Sequence, residues 1–230
     1  MLLKKLLVST CIAASVASSF TGAAQAAKAS KFNEELCASY FDKQLVRKAY
    51  FGWGGKPTDP MAIPSHTLRM VESKVTSSFS DKMALGINAT PALFKEVWKS
   101  VDMWGEKTPI KVVITVDGWQ AFAFPGHVPT TRKEDHANGF YDVFADDGSG
   151  LRGHISPKDV SLIYAVNLPA QDGTALRALS FYSQKGDLIL GLYATEGGKP
   201  QNAEAIAGFD KSWDLLKSMP RACKTPTPNS

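Results

Sequence analysis

The chain has 230 residues, 44% of them hydrophobic and 21% charged, with a formal net charge of +4. That length supports one domain with a substantial core, and a small excess of positive charge with no basic block argues against nucleic acid as a partner. No short-spaced set of His and Cys residues signals a metal site.

In chain order, Lys4 and Lys5, an apolar run from Leu6 to about Phe20 and the small residues closing at Ala24-Gln25-Ala26 have the three parts of a secretory signal. Residues 1–26 are therefore expected to be removed after Ala26. A lipoprotein site at Cys11 is disfavoured because Thr10 precedes it, and the apolar run is shorter than the ~20 residues a spanning helix needs. The mature protein is expected to be periplasmic or secreted, with no membrane span.

Residues 27–90 read as an N-terminal extension. In it Phe32, Leu36, Tyr40, Phe41 and Leu45 recur every three to four positions, predicting an amphipathic helix over 27–48 that carries Cys37. Phe51 to Pro64 is rich in Gly and Pro and reads as a loop, while His66 to Phe79 fits helix or strand. After processing, Cys37 and Cys223 would remain near opposite ends of the chain in an oxidising compartment, which favours a disulfide between them. Such a loop closure would remove about 4–5 kcal/mol of unfolded-chain entropy. The alternative is a pair of separate buried thiols.

A clearer helix begins at Thr90 as N-cap with Pro91 behind it, and Leu93, Phe94, Val97, Trp98 and Val101 form its apolar stripe. Ile110–Val116 and Trp119–Phe124 are strands joined across Asp117-Gly118, a hairpin signal. From Gly139 to Tyr193, β-branched and aromatic runs alternate with Asp147-Gly148, Asp172-Gly173 and Lys185-Gly186, so the stretch reads as one continuous antiparallel sheet. Asn202 to Lys217 places Ala205, Ile206, Phe209, Trp213 and Leu216 at helical spacing. Residues 91–223 thus predict an α+β domain, a large antiparallel β-sheet flanked by helices, and the Pro-rich tail 224–230 is expected to be disordered.

The order helix, hairpin, long loop, sheet, helix over Pro91 to Leu216 resembles one structural half of the haem-utilisation proteins, the HemS and ChuX/HutX-like group. Four stretches carry the resemblance: FYDVF at 140–144, LRGHI at 151–155, DVSLIYAV at 159–166 and ALSFYSQKGDLI at 178–189. It implies haem as cofactor, a role in haem utilisation and iron acquisition, and a haem donor or acceptor protein and a second copy of the chain as partners. Two features differ from the family: an export signal on a single half, and no clear counterpart of the axial histidine that the family carries upstream of its sheet. His66 is the candidate by position.

Haem needs an axial donor, apolar walls, and cationic or hydroxyl groups for its propionates. His127 lies in a Pro/Gly-fixed loop after a strand and, with His154, is a candidate for the metal; the bland alternative is a solvated loop histidine. His136 sits in a polar run and reads as exposed. Arg152 and His154 are two apart in a strand and should project from the same face, which suits propionate and axial chemistry; an ordinary polar sheet face would look alike. Arg177 and Tyr182 are further ligand candidates, although Tyr164 and Tyr182 also suit hydroxyls at the rim of the sheet core. Each tryptophan reads first as core. Ser156, Ser161 and Ser180 lack a nucleophile-elbow context, and no glycine loop is placed to cradle phosphate.

The sequence therefore favours an exported protein that binds haem, or another planar apolar ligand, for sequestration or transfer; a haem-degrading or redox enzyme is a third reading, less attractive because reductant is limited outside the cytoplasm. Arg152 and His154 would hold the polar end. The alternative is a non-enzymatic envelope protein using the same fold for protein contact without haem.

Overall fold

The computed structural model describes residues 35–52, 62–116, 120–131, 139–170 and 172–223. The expected signal segment, residues 53–61 of the loop expected from Phe51 to Pro64, His136 and the tail lie outside them, and residues 62–64 of that expected loop are helical instead.

Among the described residues five α-helices and nine strands follow in chain order. They are α1 (Tyr40–Arg47), α2 (Ala62–Leu68), α3 (Glu72–Ser77), β1 (Ala84–Asn88), α4 (Pro91–Asp102), β2 (Pro109–Val116), β3 (Gln120–His127), β4 (Thr130–Thr131), β5 (Tyr141–Phe144), β6 (Arg152–Ile155), β7 (Val160–Pro169), β8 (Ala175–Ser183), β9 (Leu188–Thr195) and α5 (Ala203–Ser218). Six strands form one antiparallel sheet in the order β1-β7-β8-β9-β2-β3, and three form a second in the order β4-β5-β6.

The stretch from Gly139 to Tyr193 is therefore not one sheet, as its unbroken turn signals predict. β5 and β6 leave the large sheet and pair with β4. Sheet membership is decided by which apolar face each strand can bury: Tyr141, Val143 and Ile155 pack with the helices over one face of the large sheet. The large sheet also begins earlier than expected, because Ala84–Asn88 pairs with Val166–Leu162 on β7. The boundary drawn at residue 90 thus cuts off a strand.

Two cores sandwich the large sheet. On one face α4 and α5 bury Phe94, Trp98, Phe181 and Phe209 together with the inner side of the small sheet. On the other face α1 and α3 supply Val46, Val75 and, beyond α3, Phe79 against Leu162, Leu168, Tyr182 and Tyr193. α4 forms as its sequence predicts: Thr90 Oγ1 accepts from Leu93 N at 3.2 Å, Pro91 opens the first turn, and Phe94, Val97, Trp98 and Val101 face inward.

The N-terminal helix is shorter and turned relative to its expected stripe. A reciprocal cap between Ser39 and Asp42 starts it at Tyr40, so Cys37 precedes it. Val46 and Tyr50 face the core, while Tyr40, Phe41 and Leu45 are exposed. Cys37 is joined to Cys223, with the two Cα atoms 5.3 Å apart. His66 to Phe79 resolves as two short helices. α5 is likewise turned by about one position. Gly208 and Ser212 face inward, whereas Ile206 and Trp213 are half-buried. Ser212 Oγ bonds Ser100 Oγ at 2.7 Å and accepts from Trp104 Nε1 at 2.9 Å, which pins α5 to α4.

Candidate functional site: the outer face of the small sheet

The small sheet has a buried and an open side. Strand alternation sends Tyr141, Val143 and Ile155 inward, where Phe94 meets Tyr141 edge-on with ring centroids 5.3 Å apart. Asp102, at the end of α4, accepts from the Thr131 N–H at 3.0 Å and from its hydroxyl at 2.8 Å, fastening β4. The same alternation sends Asp142, Phe144, Arg152 and His154 outward.

Register completes the site. Asp142 lies opposite His154 and Phe144 opposite Arg152. Since a carboxylate can only accept, His154 Nδ1 donates to Asp142 Oδ1. This leaves Nε2 as the ring's lone-pair nitrogen, on a side chain still 63% exposed. The Arg152 guanidinium sits 5.4 Å from the centroid of the Phe144 ring, a cation–π distance. Arg152 and His154 do project from one face, with an aromatic wall and a carboxylate between them.

His127, at the end of β3, reaches the same edge of the molecule. Its Nδ1 lies 2.7 Å from Asp146 Oδ1 in the turn between β5 and β6, close but not aligned as a hydrogen bond. That turn has an unusual backbone: Asp146, Asp147 and Gly148 all have positive φ (54°, 55° and 89°). For two aspartates in succession this is an uncommon conformation, closed here by backbone hydrogen bonds from Gly148 N and Gly150 N to Ala145 O at 3.0 and 3.2 Å and from Ser149 N to Asp146 O at 3.0 Å. Lys107 Nζ stands 4.0 Å from Asp147 Oδ2.

The other candidates are elsewhere. His66 is exposed on α2, in the layer over the opposite face of the large sheet. Arg177 is half-buried on β8 and donates to Gln201 Oε1 at 3.3 Å, bracing the connection into α5. Tyr182 is fully buried, and its hydroxyl shares a 2.6 Å hydrogen bond with Thr76 Oγ1. Burial pushes the Tyr182 and Tyr164 hydroxyls far above the ordinary phenol range. Tyr182 is thus part of the core, not its rim, and a ligand reaching it would have to displace the N-terminal helices. Trp98 and Trp104 are core residues.

Asp142 and Asp146 have no signal in the sequence. Each gains its role only from register and turn geometry. Seven residues separate β5 from β6, too many for a turn type to fix which residue faces which. Among the described residues no group of three or more His, Cys, Asp or Glu could hold a metal ion by itself, and no helix is long and apolar enough to cross a membrane. The donor set does fit a metal already held in a macrocycle: one imidazole backed by a carboxylate, a cation on the same face and an aromatic surface beside it.

Comparison with solved structures shows the same fold. A heme binding protein named ChuX is 15% identical, with a TM-score of 0.56 over 77% of this chain and 99% of that one. A protein of Agrobacterium tumefaciens is 17% identical, with a TM-score of 0.56 over 87% of this chain and 99% of its own. The heme-degrading enzyme ChuS of Escherichia coli O157:H7 is 13% identical, with a TM-score of 0.50 over 73% of this chain and 46% of its own. No curated protein matches the chain. The family model for haem utilisation ChuX/HutX matches residues 87–211, more than half of the sequence, and the chain belongs to that family.

Proposed function

We propose that this protein binds haem on the outer face of the small sheet and acts in haem sequestration or transfer outside the cytoplasm. The carrying observation is the His154–Asp142 pair. A histidine that ligates a metal almost always gives its second ring N–H to a carboxylate, a backbone carbonyl or a water, which fixes the tautomer and the orientation of the ring. Asp142 does this for His154 from the neighbouring strand, leaving Nε2 free to bind an axial position. Arg152 supplies the positive charge that a propionate would pair with, and Phe144 an apolar surface.

Family membership supports the same reading, as does the name of ChuX as a heme binding protein. Bound haem would supply a redox-active iron and an absorbance signature. The residues on this face would bind and orient it. Export rests on the secretory pattern of residues 1–26, and in the periplasm or outside the cell the partner would be a haem donor or acceptor protein.

The test is a haem titration followed by absorbance. The protein should bind one haem saturably. His154→Ala should weaken binding at least ~10-fold and change the band pattern of the ligated iron, a size common for a metal's immediate surroundings. His127→Ala should have the smaller effect, because its side chain is 36% exposed against 63% for His154 and lies off the strand face that carries Arg152 and Phe144. Unchanged affinity and unchanged spectrum in His154→Ala would remove this face from the function.

A further inference from the structure

The outer face of α1 leaves large apolar side chains in water side by side. Tyr40, Phe41 and Leu45 are 72%, 81% and 41% exposed, and the two rings meet edge-on with centroids 5.9 Å apart. Single exposed apolar residues are ordinary, but three within six positions of one helix form a contiguous patch, and such patches mark interaction sites. The rings cannot turn inward. The Ser39–Asp42 cap fixes the first turn, Val46 on the opposite side is buried, and Cys37, two residues before the cap, is held by its bond to Cys223. Helical spacing puts Phe41, Leu45 and Lys48 in one row and Tyr40, Gln44 and Arg47 in the next, and all six are exposed.

Positive charge collects at the same corner. Residues 27–48 with Lys224 carry six basic side chains, Lys28, Lys31, Lys43, Arg47, Lys48 and Lys224, against the acidic Glu34, Glu35 and Asp42. Residues 49–223 carry 18 basic and 19 acidic ones, so the whole positive excess of residues 27–230 belongs to this corner. The disulfide brings it together, because Lys224 directly follows the cysteine bonded to Cys37. Aromatic rings flanked by cations suit an anionic bilayer: the rings settle at headgroup level while Lys and Arg stay with the phosphates. One convex row of three apolar side chains is too small for a stable protein interface, which needs about 1,200 Å² or more. A bilayer sets no such minimum, since its surface potential adds the pull of many headgroups.

We propose that α1 docks this protein on an anionic phospholipid bilayer, with Tyr40 and Phe41 among the headgroups and Arg47 and Lys48 against the phosphates. The layer that carries α1 covers one face of the large sheet and the small sheet packs over the other, so docking leaves Arg152 and His154 uncovered.

The test is co-sedimentation of residues 27–230 with vesicles of equal parts phosphatidylglycerol and phosphatidylcholine. Residues 1–26 are left off because their apolar run would partition by itself; the described structure begins at residue 35. The protein should pellet with these vesicles and stay in solution with phosphatidylcholine alone. Raising salt from about 0.01 to about 1 M, which cuts the Debye length from about 30 to about 3 Å, should release most of it. Tyr40→Ser with Phe41→Ser, and separately Arg47→Glu with Lys48→Glu, should each weaken partitioning at least ~10-fold while the circular dichroism spectrum stays that of the parent. Phe41→Trp, which keeps a ring at this position, should bind as the parent does. Met103→Ser removes a side chain that is 55% exposed beyond α4, on the other side of the large sheet, and should change nothing. Absence of vesicle binding, indifference to both paired substitutions, or equal binding to neutral vesicles would each overturn the proposal. So would self-association in lipid-free solution that Tyr40→Ser with Phe41→Ser abolishes while vesicle binding persists, for α1 would then be a protein contact.

Discussion

Asp142 touches no ligand in the proposed arrangement and acts through His154. It is a positioning residue. Asp142→Asn preserves its shape and removes its charge, so the imidazole loses the acceptor that fixes its tautomer and ring orientation. Haem affinity should fall about 10- to 100-fold, and the absorbance bands should shift toward weaker axial ligation; Asp142→Glu should restore part of both. A purely structural role would leave the bands of the bound form unmoved. A second carboxylate matters for a different reason. Glu72, at the first turn of α3, is fully buried; Oε2 accepts from Leu188 N at 3.2 Å, and Oε1 has no hydrogen-bond partner among the described residues. Burial raises its pKa above the ordinary 4.5, and Asp187 adds to the rise, against the lowering effect of its own N–H, the Leu188 N–H on β9 and the Thr115 hydroxyl on β2. The folded protein therefore holds this proton more tightly than the unfolded chain does. Its contribution is fully present below pH 4.5 and is lost as pH rises through the folded-state pKa. Glu72→Gln should gain stability relative to the parent between pH 4.5 and pH 7 in urea unfolding; a constant difference across that window would mean the carboxyl is not protonated in the fold. Arg152 and His154 could be chosen from the sequence because alternation alone puts residues two apart on one face. Asp142 could not, because its meeting with His154 depends on pairing across a seven-residue connection.

Helix α5 meets α4 through a residue with no side chain. A Cβ built on Gly208 would lie 2.6–2.8 Å from Trp104 Cγ, Cβ and Cα. Replacing Gly by Ala inside a helix ordinarily gains about 1 kcal/mol. Here the obstructing atoms belong to a backbone and to the root of a fully packed ring, so the helices must separate. Overpacking of this kind costs about 1–3 kcal/mol; with backbone atoms in the way the upper end applies, and the net effect of Gly208→Ala should be a loss of up to ~2 kcal/mol in chemical unfolding. A neutral or stabilising result would show that the α4–α5 contact can slide. Elements whose partners are near in sequence were legible: α4 from its cap and stripe, and the β2–β3 and β8–β9 hairpins from their turn residues. β1 was not, because ALGIN is short and becomes a strand only by pairing with β7, some seventy residues on. The orientation of α5 was also hidden. Its apolar count favoured Ile206 and Trp213, but Gly208 and Ser212 provide the close approach and the hydrogen bonds that set the rotation. The two-sheet arrangement escaped the sequence for the same reason, since tight turns look alike whether the next strand stays in its sheet or leaves it.

Apart from its exposed edge strand β3, the large sheet is covered on both sides, and its second face depends on a layer drawn from the start of the chain. Leu36, Val46, Tyr50, Val75 and Phe79 cover that face, and Ala222 from the far end joins them. The layer is tied by the Cys37–Cys223 bond, which spans 186 positions, and by the backbone bond from Ala222 N to Gly86 O at 2.8 Å. A cross-link between chain ends changes little in the native contacts. Its main effect falls on the unfolded chain, which it keeps from sampling widely separated ends; for so long a loop the entropy model gives about 5 kcal/mol. A paired replacement, Cys37→Ser with Cys223→Ser, should therefore lower Tm by roughly 10–20 °C, taking about 2–4 °C per kcal/mol for a chain of this size. Treating the parent with a dithiol reductant should give the same shift. The helices over the second face should loosen first, because the bond anchors the layer just ahead of α1. Hydrogen exchange would then accelerate at α1 and α3 well below Tm while β7 and β8 stay protected. If exchange instead rises evenly across the sheet, the layer and the sheet unfold as one unit, and the bond stabilises the whole molecule without any special hold on its N-terminal cover.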